Sequence, residues 1–349
     1  MNRNRIGKHI CILLIFVRII NEKLGLQMNL LTFPVGKIFK DMHDGHELFL
    51  DIIYILCMKH RPIPKLGVEE LLNYGKEVVL LFSDDVAEWA SYYKDSRIRI
   101  ELVKKTEFCQ SFKNTNINSF VKWRPDFDIP IKRNYALYDA KNRKAKYIWM
   151  LDDDIIISRE NYLSALCALK YGKAVVGFHV TEFPDISTVD HVERIIYKMN
   201  PCISMTGSCM FFNIEKIQGY FPNVYNEDLF FCMQQLKPDE VVSGGVVKQT
   251  KSTPWLDLNR VRHEQFGDFM YNAFKKRFIN PGLGLIEWSQ EKEIQLSRVA
   301  NLSVCTSNHI LKKVLFVAEE AIRNINVNEV KQFIDSCNFA DWVYKYLES

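Results

Sequence analysis

Nine cysteines, an odd number, are spread along the chain without a single CxxC pair. That removes paired-cysteine metal and redox motifs, and most of these cysteines sit in apolar runs, as reduced core residues of a cytosolic protein do. No apolar run is long enough to cross a membrane, which takes ~20 residues. The nearest candidate, Ile10 to Ile20, is broken by Arg18, and no clear small-residue cleavage site follows it. A core strand, a peripheral amphipathic anchor contacting a membrane surface, and an upstream mis-start all fit that segment. A net charge of +4 over 349 residues is too small to argue for nucleic acid. Glycine is missing between Cys57 and Lys65, so no Gly-rich phosphate loop follows the first apolar strand. Asn301-Leu302-Ser303 is a glycosylation sequon that means little without a secretory signal.

What is present is ordinary for a globular protein: 48% apolar and 25% charged residues, enough for a full core in one large domain or two. Apolar runs at Leu48 to Leu56, Val78 to Phe82, Tyr147 to Leu151, Ala174 to Val180 and Ile203 to Asn213 read as buried strands. Ile98 to Val103 alternates and reads as a shorter one. Between them lie helical patterns. Pro130 suits a first helical turn, with Ile131, Tyr135 and Tyr138 on one face. Ser158 suits an N-cap before Tyr162, Leu166 and Leu169. Such alternation predicts a mostly parallel sheet flanked by helices. Residues 1–46 are set aside as an N-terminal extension of unknown role. Residues 256–349 read as a helical C-terminal region, with stripes such as Leu311, Val314, Leu315, Ala318 and Ile322 that suit a core or a dimer interface. The oligomeric state is not legible.

Three predicted strands end in polar clusters: Lys59-His60-Arg61, Ser83-Asp84-Asp85 and Asp152-Asp153-Asp154. Ligands of open α/β sheets sit beyond these carboxyl ends. Adjacent acids repel, and are tolerable if they cap loop N–H groups, reach water or hold a hard divalent cation such as Mg²⁺ or Mn²⁺. Downstream, Asn226-Glu227-Asp228 opens another helical pattern. Those acids either complement the helix dipole or supply a carboxylate general base.

The ordered set resembles the GT-A glycosyltransferases, and more closely those similar to family 2, over roughly residues 50–255. Arg133-Asn134-Tyr135-Ala136 resembles the family's "RN-x-A" helix, and Leu151-Asp152-Asp153-Asp154 its DxD motif. Thr206-Gly207-Ser208 is similar to the acceptor-side strand, and Asn226-Glu227-Asp228 to the "ED" motif. The resemblance implies an α/β, GT-A (Rossmann-like) catalytic domain over 47–255 and metal-dependent transfer of a sugar from a nucleotide-sugar donor to an acceptor hydroxyl. The acceptor would be a carbohydrate, lipid or protein, and the setting cytoplasmic or membrane-peripheral. It implies that Asp154 is the direct ligand of Mn²⁺ or Mg²⁺ on the donor diphosphate, that Asp152 contacts the ribose or the metal through water, and that Asp153 faces either way beside the nucleotide. Asp84, Asp85, Arg61, Arg133 and Asn134 would hold the nucleotide or its loop. Asp228 would be the base of an inverting reaction, with Glu227 positioning the acceptor. The family's metal-binding histidine has no obvious match: Gln249 stands near its place, and His263 is either a surface or capping residue or the missing ligand. A sugar-phosphate nucleotidyltransferase and a non-catalytic carbohydrate-binding protein are the rival readings.

Overall fold

The apolar runs become the middle of one sheet. The computed structural model describes residues 50–57, 67–83, 92–104, 128–181, 187–199, 205–249 and 256–347. Leu50–Leu56 (β1), Gly75–Phe82 (β2), Ile98–Leu102 (β3) and Tyr147–Asp152 (β4) form its parallel half. The two-residue Ile155–Ile156 (β5), Val175–Thr181 (β6), Met205–Asn213 (β7) and Val241–Gln249 (β8) form the rest. The spatial order is β3-β2-β1-β4-β7-β6-β8-β5. Among the described residues four of the seven pairings are parallel; β7 runs against both β4 and β6, and β5 against β8. This is the expected α/β, Rossmann-like sheet flanked by helices.

Strands buried on both faces need apolar residues at consecutive positions. On β1 and β4, Ile53, Ile55, Trp149 and Leu151 enter one core while Ile52, Tyr54, Ile148 and Met150 enter the other. Trp149 stacks on Phe211 of β7, ring centroids 4.8 Å apart, across the antiparallel pair.

Val68–Leu71 (α1), Ile129–Asn142 (α2) and Arg159–Lys170 (α3) flank the parallel half. At α3 the spacing holds: Ser158 Oγ accepts from Asn161 N at 3.2 Å, and Tyr162, Leu166 and Leu169 are buried. At α2 it does not. Tyr138, assigned to the buried face, is 39% exposed, whereas Lys132, Arg133 and Asn134 are buried. The cause is pairing. Burial of polar groups is tolerable when each has a partner, and these three face the strand ends and loops that supply them.

Thr188–Tyr197 (α4) and Glu227–Cys232 (α5) lead into the C-terminal helices Leu258–Ile279 (α6), Trp288–Cys305 (α7), His309–Arg323 (α8), Val327–Ser336 (α9) and Asp341–Tyr344 (α10). Val189 and Val192 of α4, Val224 and Phe230 share one apolar core with Phe269, Phe274, Leu315 and Phe333. The helical region is therefore built onto the segment that carries Glu227 and Asp228. Among the described residues no helix is long and apolar enough to cross a membrane.

Candidate active site

Arg133, 3% exposed, collects the acidic motifs. Its Nη1 donates to Glu227 Oε1, and its Nη2 lies 3.5 Å from Asp152 Oδ1. The guanidinium carbon sits 5.6 Å from the Phe221 ring centroid. The guanidinium also packs against Gly207, where any Cβ would overlap it. Gly207 N donates to Asp228 Oδ2, and Leu229 N donates to Asp228 Oδ1 at 2.8 Å. The end of β4, the start of β7 and the start of α5 thus meet around one cation.

The local chain explains the aim. Asn226 adopts φ 63°, a left-handed conformation that asparagine tolerates, and the turn it makes points Glu227 and Asp228 back at the sheet. Asn134 grips the preceding loop at both ends of its amide: Nδ2 donates to Phe221 O and Oδ1 accepts from Phe221 N, each at 2.8 Å. Lys132, which the sequence pattern alone does not single out, donates to Cys57 O at the end of β1 at 2.6 Å and pairs with Asp128 at 3.0 Å. Three consecutive polar residues, Lys132-Arg133-Asn134, directly after the apolar Ile129-Pro130-Ile131 are the signal that could have found it.

Burial works against the Arg133 charge, and Glu227, Asp152 and Asp228 more than restore it. Burial pushes the Glu227 carboxyl up to about 7, with Arg133 opposing and Asp228 adding. Three carboxylates around one guanidinium leave negative charge in excess, a field that favours a further cation.

The strand-end acids part company. Asp152 turns to Arg133, and its Oδ1 is buried without a hydrogen bond. Asp153, 7% exposed, acts on the Cys57 thiol, which burial pushes up, Asp153 pushes further and Lys132 opposes. Asp154 Oδ1 accepts from Gln249 Nε2 at 3.0 Å, because Ile155 pairs with Gln249 in the β5–β8 ribbon. His263 stands in the second turn of α6, half-buried, one turn before Gly267. Gly267 packs so closely on the Tyr225 carbonyl that a Cβ there would overlap it. Among the described residues no three His, Cys, Asp or Glu side chains are gathered to share a metal ion. Asp152 Oδ1 is buried with the Arg133 ion pair at 3.5 Å and no hydrogen bond, and the all-oxygen character of Asp152 and Asp154 fits a hard cation whose remaining ligands would come from phosphate and water. Arg61, Asp84 and Asp85 lie outside the described residues.

No protein-family model and no curated protein matches the chain. Among solved structures it is similar to the mannose-1-phosphate geranyltransferase of Thermus thermophilus, at 12% identity and a TM-score of 0.30, over 48% of this chain and 58% of that one. It is also similar to the 4-diphosphocytidyl-2C-methyl-D-erythritolsynthase of Anaerococcus prevotii, again at 12% identity and a TM-score of 0.30, over 64% of this chain and all of that one. The chain thus spans little more than half the length of the first. Likenesses this distant carry no argument about activity.

Proposed function

We propose that the chain is a glycosyltransferase that moves a sugar from a nucleotide-sugar donor to an acceptor hydroxyl with inversion. One observation carries this reading: Arg133 joins Asp152 of the strand-end acids to Glu227 of the helix-start acids, with Asp228 held beside them on Gly207 N. A donor-side and an acceptor-side carboxylate cluster at one sheet edge is what direct displacement needs.

Asp228 takes the proton of the acceptor hydroxyl as its oxygen attacks the anomeric carbon and the bond to the diphosphate breaks. Two backbone N–H groups fix the orientation of that carboxylate. Glu227 positions the acceptor, and Arg133 holds Glu227. Asp152 and Asp154 would hold Mn²⁺ or Mg²⁺, which neutralises charge on a diphosphate leaving group when bound. Arg61, Asp84 and Asp85 would bind the nucleotide. Residues 47–255 would carry this chemistry, and the described helices from Leu258 onward share a core with Val224 and Phe230, which flank Glu227 and Asp228.

A second reading is sugar-phosphate nucleotidyl transfer, which would use the same strand-end acids. One experiment separates the two. The full chain is incubated with Mn²⁺ and a panel of uridine, guanosine and cytidine diphosphate sugars, and scored by thermal stabilisation and release of nucleoside diphosphate. Saturating a donor site at 100 times its Kd stabilises by about 2.7 kcal/mol. Pyrophosphate release from a nucleoside triphosphate and a sugar 1-phosphate, with no reaction of any nucleotide sugar, selects the second reading.

A further inference from the structure

Away from the Arg133 cluster, helices α4, α6 and α7 enclose a hollow of about 320 Å³. Its walls are cross-tied. Arg298 Nη2 donates to Asp190 Oδ1 at 2.6 Å and to Glu193 Oε2, joining α7 to α4. Gln295 Nε2 donates to Phe269 O at 3.3 Å, and Lys276 Nζ to Glu291 Oε2 at 2.6 Å, joining α7 to α6. The three helices are thus fixed to one another around the hollow.

Its charge is one-sided. Four cations line it, Arg194, Lys275, Lys276 and Arg298, against two carboxylates, Asp190 and Glu193. Both carboxylates accept from a single nitrogen, Arg298 Nη2. Glu291, the partner of Lys276, is shared with Arg277 and so does not cancel the excess. A concave wall with surplus positive charge draws in an anion. A specific donor points the same way. Asn272 lines the hollow while only 9% exposed, and its Nδ2 is buried without a hydrogen-bond acceptor. A buried donor left unsatisfied is costly, and an acceptor on a ligand removes that cost.

Between the charges the lining is hydrocarbon. Met199 and Ile294 are 37% and 42% exposed, and Ile279 adds to the same lining. Covering such side chains with an apolar group is favourable. At Ile294 the hollow adjoins a second one of about 520 Å³, which also holds Glu193 and Arg298. There the sign reverses: Glu193 and Glu293 stand against Arg298 alone, and Tyr197 and Leu302 add apolar surface. A negative head is therefore confined to the first hollow, and an apolar body runs over Ile294 toward Tyr197. An inorganic anion would leave the hydrocarbon lining in water, and a plain hydrocarbon would leave Asn272 Nδ2 without an acceptor.

We propose that this hollow binds a small organic anion: one carboxylate or phosphate head, held by Asn272 and the surrounding cations, on an apolar body laid over Ile294. The site stands on its own residues and does not depend on the glycosyl-transfer reading.

Calorimetric titration of the full chain, with a metal chelator present and no nucleotide, tests it. The probes are octyl phosphate and octanoate, with inorganic phosphate, octyltrimethylammonium and phosphatidylglycerol vesicles for contrast. At least one octyl anion should bind, less tightly as salt is raised. Inorganic phosphate should bind about tenfold more weakly than its octyl ester, or not at all, for want of the buried chain. Octyltrimethylammonium should not bind. Lys275→Glu and Asn272→Leu should each weaken the octyl anion by about tenfold or more. Ile294→Asn should bring octyl phosphate down toward inorganic phosphate. Lys275 and Ile294 are partly exposed, so these two variants keep the fold, which circular dichroism checks. Asp154→Asn should leave binding unchanged. Failure of both octyl anions to bind, equal binding of octyltrimethylammonium, indifference to Lys275→Glu, loss in Asp154→Asn, or binding to the vesicles alone would each overturn the proposal.

Discussion

Gln249 Nε2 donates to Asp154 Oδ1 at 3.0 Å, so the strand-end glutamine and the last strand-end acid are one unit. A neutral amide holds the carboxylate in place without cancelling its charge. A histidine there could compete with a cation when protonated; the amide cannot.

Gln249→Ala should therefore weaken Mn²⁺-dependent nucleotide binding by about 10- to 100-fold, in line with a hydrogen bond to a charged group being worth about 1.5–3 kcal/mol. His263→Ala is the companion variant, because His263 sits on α6 beside the Tyr225 packing contact rather than on the β5–β8 ribbon. Calorimetric titration of both variants with nucleotide present assigns the role. A loss in His263→Ala alone would move it from the strand to the helix.

Arg133 is a buried charge with buried partners. Arg133→Met should destabilise the fold by about 3–5 kcal/mol, since Glu227 and Asp152 are left uncompensated. Adding Glu227→Gln to Arg133→Met should restore part of that loss. Urea unfolding of the two single variants and the double one measures the coupling, and strict additivity would mean that the pair does not interact.

The Glu227 carboxyl gives a pH signature. Its value in the folded chain, about 7, is above the ordinary 4.5. The folded state therefore binds more protons than the unfolded state between those values, and stability falls as pH rises from about 4.5 to 7. Below that window the contribution is fully present; above it the loss is complete. Subtracting the Glu227→Gln profile from the wild-type profile isolates this group from other buried acids. A difference that is flat, or that rises with pH, contradicts the burial of an ionisable Glu227.

The central strands are legible in the sequence because β1 and β4 are buried on both faces and so are apolar without a break. Ser158 is legible as a cap because its side chain does the local job its position suggests. The face of α2 is not, because Arg133 and Asn134 are buried by partners up to 94 residues away in sequence, and periodicity knows nothing of those partners. The packing of Gly267 on Tyr225, three residues before the proposed base, is not legible either, because it joins segments 42 residues apart.

That contact makes a prediction of its own. Gly267→Ala places a methyl group against the Tyr225 backbone, which cannot swing aside as a side chain can. Overpacking of this kind costs about 1–3 kcal/mol. The variant should lose stability in that range and lose more activity than stability, because the displaced segment carries Glu227 and Asp228. Paired thermal unfolding and turnover measurements would show it.

The central claim is that Asp154 serves the donor and Asp228 the acceptor in a single displacement. The most direct measurement is steady-state turnover with the nucleotide sugar found in the panel, for wild type, Asp154→Asn and Asp228→Asn, alongside donor affinity. Asp228→Asn should keep donor affinity and lower kcat by about 10²–10⁴, the usual worth of a positioned base. Asp154→Asn should lose metal-dependent donor binding while remaining folded. Full turnover in Asp228→Asn, or unchanged Mn²⁺-dependent donor affinity in Asp154→Asn, would contradict the account.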